Sequence, residues 1–228
     1  MLHDFFSLLF PNYCEPCGMP LAKGESLICS RCRLEMPRGK LIFINDSNAE
    51  YPTKLQGIRN LHFSGSYYRF TKGGKVQKLL HALKYSKKPE VGELIGKWIG
   101  AELKMLWKEN LPDLILPVPL HPKKKRKRGY NQSDFLARGI ASGLEIGWSE
   151  NYLKRIVNNA TQTRKNKVER WQNVEKVFKL EQPYWFALKH VLLVDDVLTT
   201  GSTLEACAEI INQAGAASIS AITLADAG

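Results

Sequence analysis

Two adjacent carboxylates, Asp195 and Asp196, stand between an apolar run at 191–194 and a hydroxyl-rich turn, Thr199, Thr200, Gly201, Ser202 and Thr203. Paired carboxylates can accept hydrogen bonds from vicinal hydroxyls or hold a divalent cation. The turn offers hydroxyls and backbone N–H groups, and Gly201 lets the chain approach an anion closely. A helical pattern begins at Ser202, so unpaired N–H groups and a positive dipole end would face the same anion. Each part of the string therefore suits one piece of a phosphorylated sugar. D-D alone reads most simply as a strand-to-helix turn with a polar cap. The coincidence of apolar run, acids, glycine turn and helix start favours a ligand.

Four of the five cysteines fall in two C-x-x-C pairs, Cys14 with Cys17 and Cys29 with Cys32, eleven residues apart. This spacing can place four thiolates tetrahedrally around one structural zinc, leaving no open position for catalysis. Disulfides are the alternative, which an intracellular setting argues against. Cys207 lies on an apolar stripe with Leu204, Ala208 and Ile211 and reads as a buried small hydrophobe.

Six consecutive cations, Lys123, Lys124, Lys125, Arg126, Lys127 and Arg128, follow Leu120 and His121. Three readings compete: a solvated loop, an address signal, or a cationic loop beside Asp195 that neutralises a polyanionic ligand, with charge to spare for a nucleic-acid backbone. Gly129, Tyr130, Asn131 and Gln132 add an aromatic ring and two amides able to meet a base or ribose. A further polar stretch at 155–173, with Gln162, Thr163 and Arg170, reads either as a surface loop or as a lid over a phosphorylated ligand.

These groups need elements to hold them. Residues 191–194 are too short for a helix and too apolar for an exposed strand, which predicts a buried parallel strand with the acids at its carboxyl end. Aromatic-rich residues from His62 onward predict another strand, and 114–120 a third that ends at its prolines. A fourth spans 218–224, after a helix stopped by Gly215. Apolar spacing predicts helices over 76–85 and 91–107, from Ser133 and from Ser202. Alternating strands and helices predict an α/β fold, a parallel sheet with helices on both faces. The partition expected is a cysteine module over 1–45, a polar linker over 46–61 and a main domain over 62–228.

The whole chain has 228 residues, 44% hydrophobic, with a net charge of +11. That composition fits a soluble globular protein, with no apolar run of membrane-spanning length. The apolar start lacks a basic leader and reads as a packed helix, which predicts a cytoplasmic protein. The charge is uneven. Residues 120–176 hold fourteen Lys or Arg and five Asp or Glu, whereas from His190 onward there are five acids and no Lys or Arg. A basic middle thus faces an acidic, ligand-binding end, a field attractive to polyanions if it is more than a solvated surface.

The string V-L-L-V-D-D-V-L-T-T-G-S-T resembles the phosphoribosyl pyrophosphate motif of type I phosphoribosyltransferases. The resemblance implies that Asp195 and Asp196 contact the ribose hydroxyls and that Thr199, Thr200, Gly201, Ser202 and Thr203 wrap the 5-phosphate. Some purine-salvage members carry a third acid where this chain has Thr199, so the likeness departs from a nucleobase salvage transferase there. P-V-P-L-H-P, R-G-Y-N-Q, L-K-Y at 83–85, Arg155, Gln162, Thr163, Arg170, Asn173 and the paired C-x-x-C motifs together resemble the ComF/GntX family. That likeness covers nearly the whole chain. It implies phosphoribosyl pyrophosphate or a related nucleotide as ligand, Mg²⁺ with it, and a role in uptake or processing of single-stranded DNA beside a helicase-like partner. Leu120, His121 and the lysines beyond would form the pyrophosphate loop. A non-catalytic sensor and a purely DNA-binding accessory protein remain as alternatives to a transferase.

Overall fold

The computed structural model describes residues 12–44, 53–108, 110–156 and 177–228. A five-stranded sheet has the order β1-β2-β7-β6-β3, with β1 Leu41–Phe43, β2 Leu61–Arg69, β3 Leu114–Pro117, β6 His190–Leu198 and β7 Ser218–Asp226. β2, β7, β6 and β3 run parallel, and β1 joins the edge antiparallel to β2. A separate hairpin pairs β4 Leu153–Arg155 with β5 Phe178–Leu180. The helices are α1 Ser30–Glu35, α2 Lys75–Tyr85, α3 Glu90–Trp107, α4 Pro122–Arg128, α5 Gln132–Leu144 and α6 Ser202–Gln213.

Period-two alternation along β6 divides the core. Leu192 and Val194 pack with α2, α3, α5 and the cysteine segment on one face. Val191 and Leu193 pack with α6 and the β4–β5 hairpin on the other. A strand buried on both sides must be apolar at every position, which is why 191–194 carries no polar residue. The expected α/β fold, a parallel sheet with helices on both faces, is the fold observed.

The two longest helices meet backbone to backbone. Gly92, Gly96 and Gly100 recur every fourth residue on α3, and Gly139 and Gly143 face them from α5. A Cβ at Gly96 would lie 2.3 Å from the Leu136 carbonyl oxygen, and one at Gly139 would lie 2.2 Å from that of Glu93. The glycines permit this approach despite their low helix propensity.

Several elements differ from expectation for local reasons. β3 ends at Pro117 on the edge of the sheet, where a residue without an N–H is tolerated, and the Val118 N–H still donates to the Val194 carbonyl at 2.8 Å. β6 runs on to Leu198, so Asp195 and Asp196 lie within the strand, near its end. The segment expected as a linker is in part core: a 3₁₀ turn at Thr53–Leu55 buries Leu55, and Ile58 is buried with it against α6. The basic run forms a short helix, α4. Pro122 occupies its first turn, His121 Nδ1 accepts from the Lys123 N–H at 3.2 Å, and Gly129 ends it at φ +86°. No residue of α4 is buried, and four cations in its last turn complement the negative dipole end. Among the described residues no helix is long and apolar enough to cross a membrane.

Candidate functional site

The acids of β6 lie near the carboxyl end of the parallel sheet, where open α/β folds bind ligands, between α2 and α5. Ser133, in the first turn of α5, donates its hydroxyl to Asp195 Oδ1 at 3.0 Å, and the Asp196 N–H donates to the same oxygen at 2.8 Å. Lys84, near the end of α2, places Nζ 2.9 Å from Asp196 Oδ2. Burial, then the neighbouring Asp196 carboxylate, push the Asp195 carboxyl up to about 7, against the pull of its two hydrogen bonds. Two acids held this close, with one already paired to a cation, form a receptor for hydroxyl donors or for a divalent ion. Mg²⁺ fits such a donor set, since it takes one or two carboxylates and completes its shell with water and phosphate oxygens.

The turn after β6 is held from the opposite side. Gly201 has φ +80°, and a Cβ there would lie 1.7 Å from the Lys54 carbonyl oxygen. Glycine is therefore needed to seat the turn against Thr53–Leu55, before any ligand arrives. Two further contacts fix this seat. Lys54 Nζ pairs with Asp226 Oδ1 at 2.5 Å, and Glu205 Oε1 accepts from the Gly57 N–H at 2.9 Å. Thr199, Thr200 and Ser202 are exposed, Thr203 is half-buried, and the Thr200 and Ser202 hydroxyls lie 3.0 Å apart. The turn thus presents hydroxyls and the start of α6 to solvent from a fixed base, as an anion seat requires.

The R-G-Y-N-Q segment is placed differently from a ligand contact. The Tyr130 hydroxyl donates to the Leu83 carbonyl at 2.5 Å and its ring meets Phe135. Asn131 is buried, and its amide donates to the Val118 carbonyl at 3.0 Å and to Asp134 Oδ1 at 2.6 Å. Gln132 is buried and accepts from Arg128 at 2.7 Å. These residues tie α4 and α5 to the ends of β3 and α2. The Tyr130 hydroxyl and the Asn131 amide are engaged inside the fold, which gives this segment a positioning role, whereas Gln132 Nε2 is buried without a hydrogen-bond partner among the described residues. His121, half-buried, caps α4, and Leu120 is half-buried at the strand end. Lys123, Lys124, Arg126 and Lys127 are exposed, while Lys125 reaches Glu150 at 3.4 Å and Asp134 at 3.8 Å. Gln162, Thr163 and Arg170 lie outside the described residues.

The four cysteines converge. Their Sγ atoms all lie within 4.8 Å of one another, and Cys17 Sγ is 3.9 Å from Cys29 Sγ. Tetrahedral zinc–thiolate bonds of about 2.3 Å imply sulfur separations near 3.8 Å, whereas a disulfide needs about 2 Å. All five cysteines are free thiols. Backbone N–H groups of Cys29 and Cys32 point at Cys14 Sγ and Cys29 Sγ at 3.3 and 3.4 Å. Burial, reinforced by neighbouring thiols, pushes Cys32 well up, and burial also raises Cys14. A cation among them would reverse that cost. The donor set therefore fits a tetrahedral four-thiolate metal site.

Sequence reasoning missed Lys84, Ser133 and Lys54, which contact the paired acids or seat the turn after β6. Lys84 had a signal in L-K-Y. Ser133 and Lys54 carried none, since their roles depend on contacts between distant segments.

The family profile of the phosphoribosyl transferase domain matches residues 140–228. The DNA utilization protein YhgH of Salmonella typhimurium is 31% identical over 220 residues, covering 93% of this chain and 96% of that protein. Competence protein F of Haemophilus influenzae is 38% identical over 122 residues, covering 51% of this chain and 52% of that protein. Among solved structures, the allosteric regulatory enzyme of purine biosynthesis aligns at 19% identity and a TM-score of 0.45, over 64% of this chain and 30% of that one. Fold and profile define the class: a protein of the type I phosphoribosyltransferase kind. Within that class the chain belongs to the ComF/GntX family, with YhgH and competence protein F as relatives.

Proposed function

We propose that the chain binds phosphoribosyl pyrophosphate with Mg²⁺ at the carboxyl end of β6 and acts in the uptake or processing of single-stranded DNA. The observation that carries the binding is the juxtaposition of Asp195 and Asp196 with a Gly201-centred turn that opens α6. Asp195 and Asp196 would take the ribose hydroxyls, directly or through cation-bound water, and residues 199–203 the 5-phosphate. When bound, the divalent cation supplies charge neutralisation to the pyrophosphate. The cations of α4 lie beyond the end of β3 and add to that field. If transfer occurs, the bond from C1 to the pyrophosphate oxygen breaks, the oxygen keeps the electron pair, and a nucleophile bonds to C1. The names of the relatives support the DNA setting. Calorimetry with phosphoribosyl pyrophosphate, with and without Mg²⁺, tests the binding. Pyrophosphate release above a no-acceptor control separates a transferase from a sensor.

The cysteine cluster would hold structural zinc, which its donor chemistry favours. The partition into a cysteine module over 1–45 and a domain over 62–228, packed on a common core and joined by a segment whose Leu55 and Ile58 are buried against α6, belongs to the same proposal, as does a cytoplasmic setting. A second reading has its own observation: α4 buries no residue, and Lys123, Lys124, Arg126 and Lys127 are exposed. Such a helix suits a nucleic-acid backbone. Neutralising these four residues would flatten the salt dependence of single-stranded DNA binding if they grip phosphates. An unchanged slope would remove them from that role. A helicase-like partner rests on the family resemblance alone.

A further inference from the structure

The ion pair between Lys84 and Asp196 is among the most sheltered of the described residues, with side chains 21% and 18% exposed. Its position is fixed on both sides. Leu83 is fully buried, and its carbonyl accepts from the Tyr130 hydroxyl at 2.5 Å. The Tyr85 ring carries the Arg128 guanidinium at 5.4 Å. The R-G-Y-N-Q segment thus grips both neighbours of Lys84 and aims its ammonium at the paired acids. An exposed lysine with freedom to wander would gain little from such a pair. One held by its neighbours and screened from water gains more.

We propose that Lys84 is a resident counter-ion of the Asp195–Asp196 pair, a positioning residue that competes with a divalent cation for Asp196 and so sets the metal affinity of the site. The proposal rests on the sugar-phosphate reading of those acids. In the ligand-free protein one ammonium satisfies a carboxylate pair that would otherwise repel. A divalent cation alone must displace it and binds weakly. A cation arriving with a phosphorylated sugar brings anionic oxygens that the released ammonium can meet, so metal and sugar phosphate bind together. Lys84 thereby couples metal occupancy to ligand occupancy.

The test uses the full chain with its cysteine site loaded with zinc, and Mn²⁺ alone as the probe, followed by the paramagnetic signal of free Mn²⁺. Lys84→Met and Lys84→Gln should each tighten Mn²⁺ binding about tenfold, because an opposing charge is removed at contact distance. Lys84→Arg should retain the wild-type affinity, and adding Asp196→Asn to Lys84→Met should abolish the gain. A lysine with only a folding role would leave Mn²⁺ binding unchanged or weaken it. The proposal is overturned if Lys84→Met and Lys84→Gln, folded by circular dichroism, bind Mn²⁺ as wild type does. It is equally overturned if Lys84→Arg tightens binding as much as Lys84→Met. Calorimetry on the wild type tells the two failures apart: absent binding of phosphoribosyl pyrophosphate with Mg²⁺ removes the sugar-phosphate reading, whereas intact binding beside unchanged Mn²⁺ affinity removes Lys84 alone.

Discussion

At the scale of single residues, Gly201 carries two constraints at once, a left-handed φ of +80° and a carbonyl where a Cβ would sit. Gly201→Ala should therefore destabilise the fold by about 1–3 kcal/mol through overpacking and backbone strain, measured as a lower urea midpoint. It should also abolish sugar-phosphate binding, since the turn cannot keep its seat. A variant with wild-type stability would show that the turn moves freely. The acids, the glycine turn and the cysteines were legible because their chemistry is local in sequence: two neighbours, a five-residue turn, two C-x-x-C pairs. Lys84 and Ser133 were not assigned to the site, because each reaches the acids across the fold from another element. The burial of Asn131 and Gln132, and the bonds of Asn131 to Val118 and of Gln132 to Arg128, were not legible from residue type alone.

At the scale of elements, apolar periodicity located β6, α2, α3, α5 and α6, since each buries a regular face. It did not predict α4, which has no apolar face and is held by its caps, His121, Pro122 and Gly129. Nor did it assign the glycines of α3 and α5, whose four-residue spacing reads as weak helix propensity until the partner helix is in place. Gly139→Ala tests that packing through the sign of its effect. On an open helix this change stabilises by about 0.5–1 kcal/mol. Here the added Cβ meets the Glu93 carbonyl oxygen at 2.2 Å, so chemical denaturation should show a loss of about 1–3 kcal/mol. A gain would mean that α3 and α5 are not in backbone contact.

Across the whole molecule, the sheet separates two environments. Its carboxyl end holds the acids, and its amino end holds a ring cluster in which His190 contacts His62, Trp107 and the Ser220 hydroxyl at 2.7 Å. Burial, then His62, push His190 down to about 4, from an ordinary value of about 6.5. The unfolded chain therefore binds more protons between those values. The stability from a neutral His190 is present above about pH 6.5 and is lost progressively as pH falls toward 4. His190→Gln should flatten that loss in urea titrations at pH 7.5 and 5.0; an unchanged slope would place the loss elsewhere. The cysteine segment shares a core with Tyr67, Tyr68, Leu79 and Leu83, so metal removal should reach beyond it. A zinc chelator should lower the thermal midpoint and release about one zinc per chain, whereas Cys32→Ser should copy the destabilisation without zinc release. The central claim is the sugar-phosphate site, and isothermal calorimetry with phosphoribosyl pyrophosphate tests it most directly. Saturable, Mg²⁺-dependent binding to the wild type that disappears in Asp195→Ala/Asp196→Ala is the predicted result, and equal binding by both proteins would contradict it.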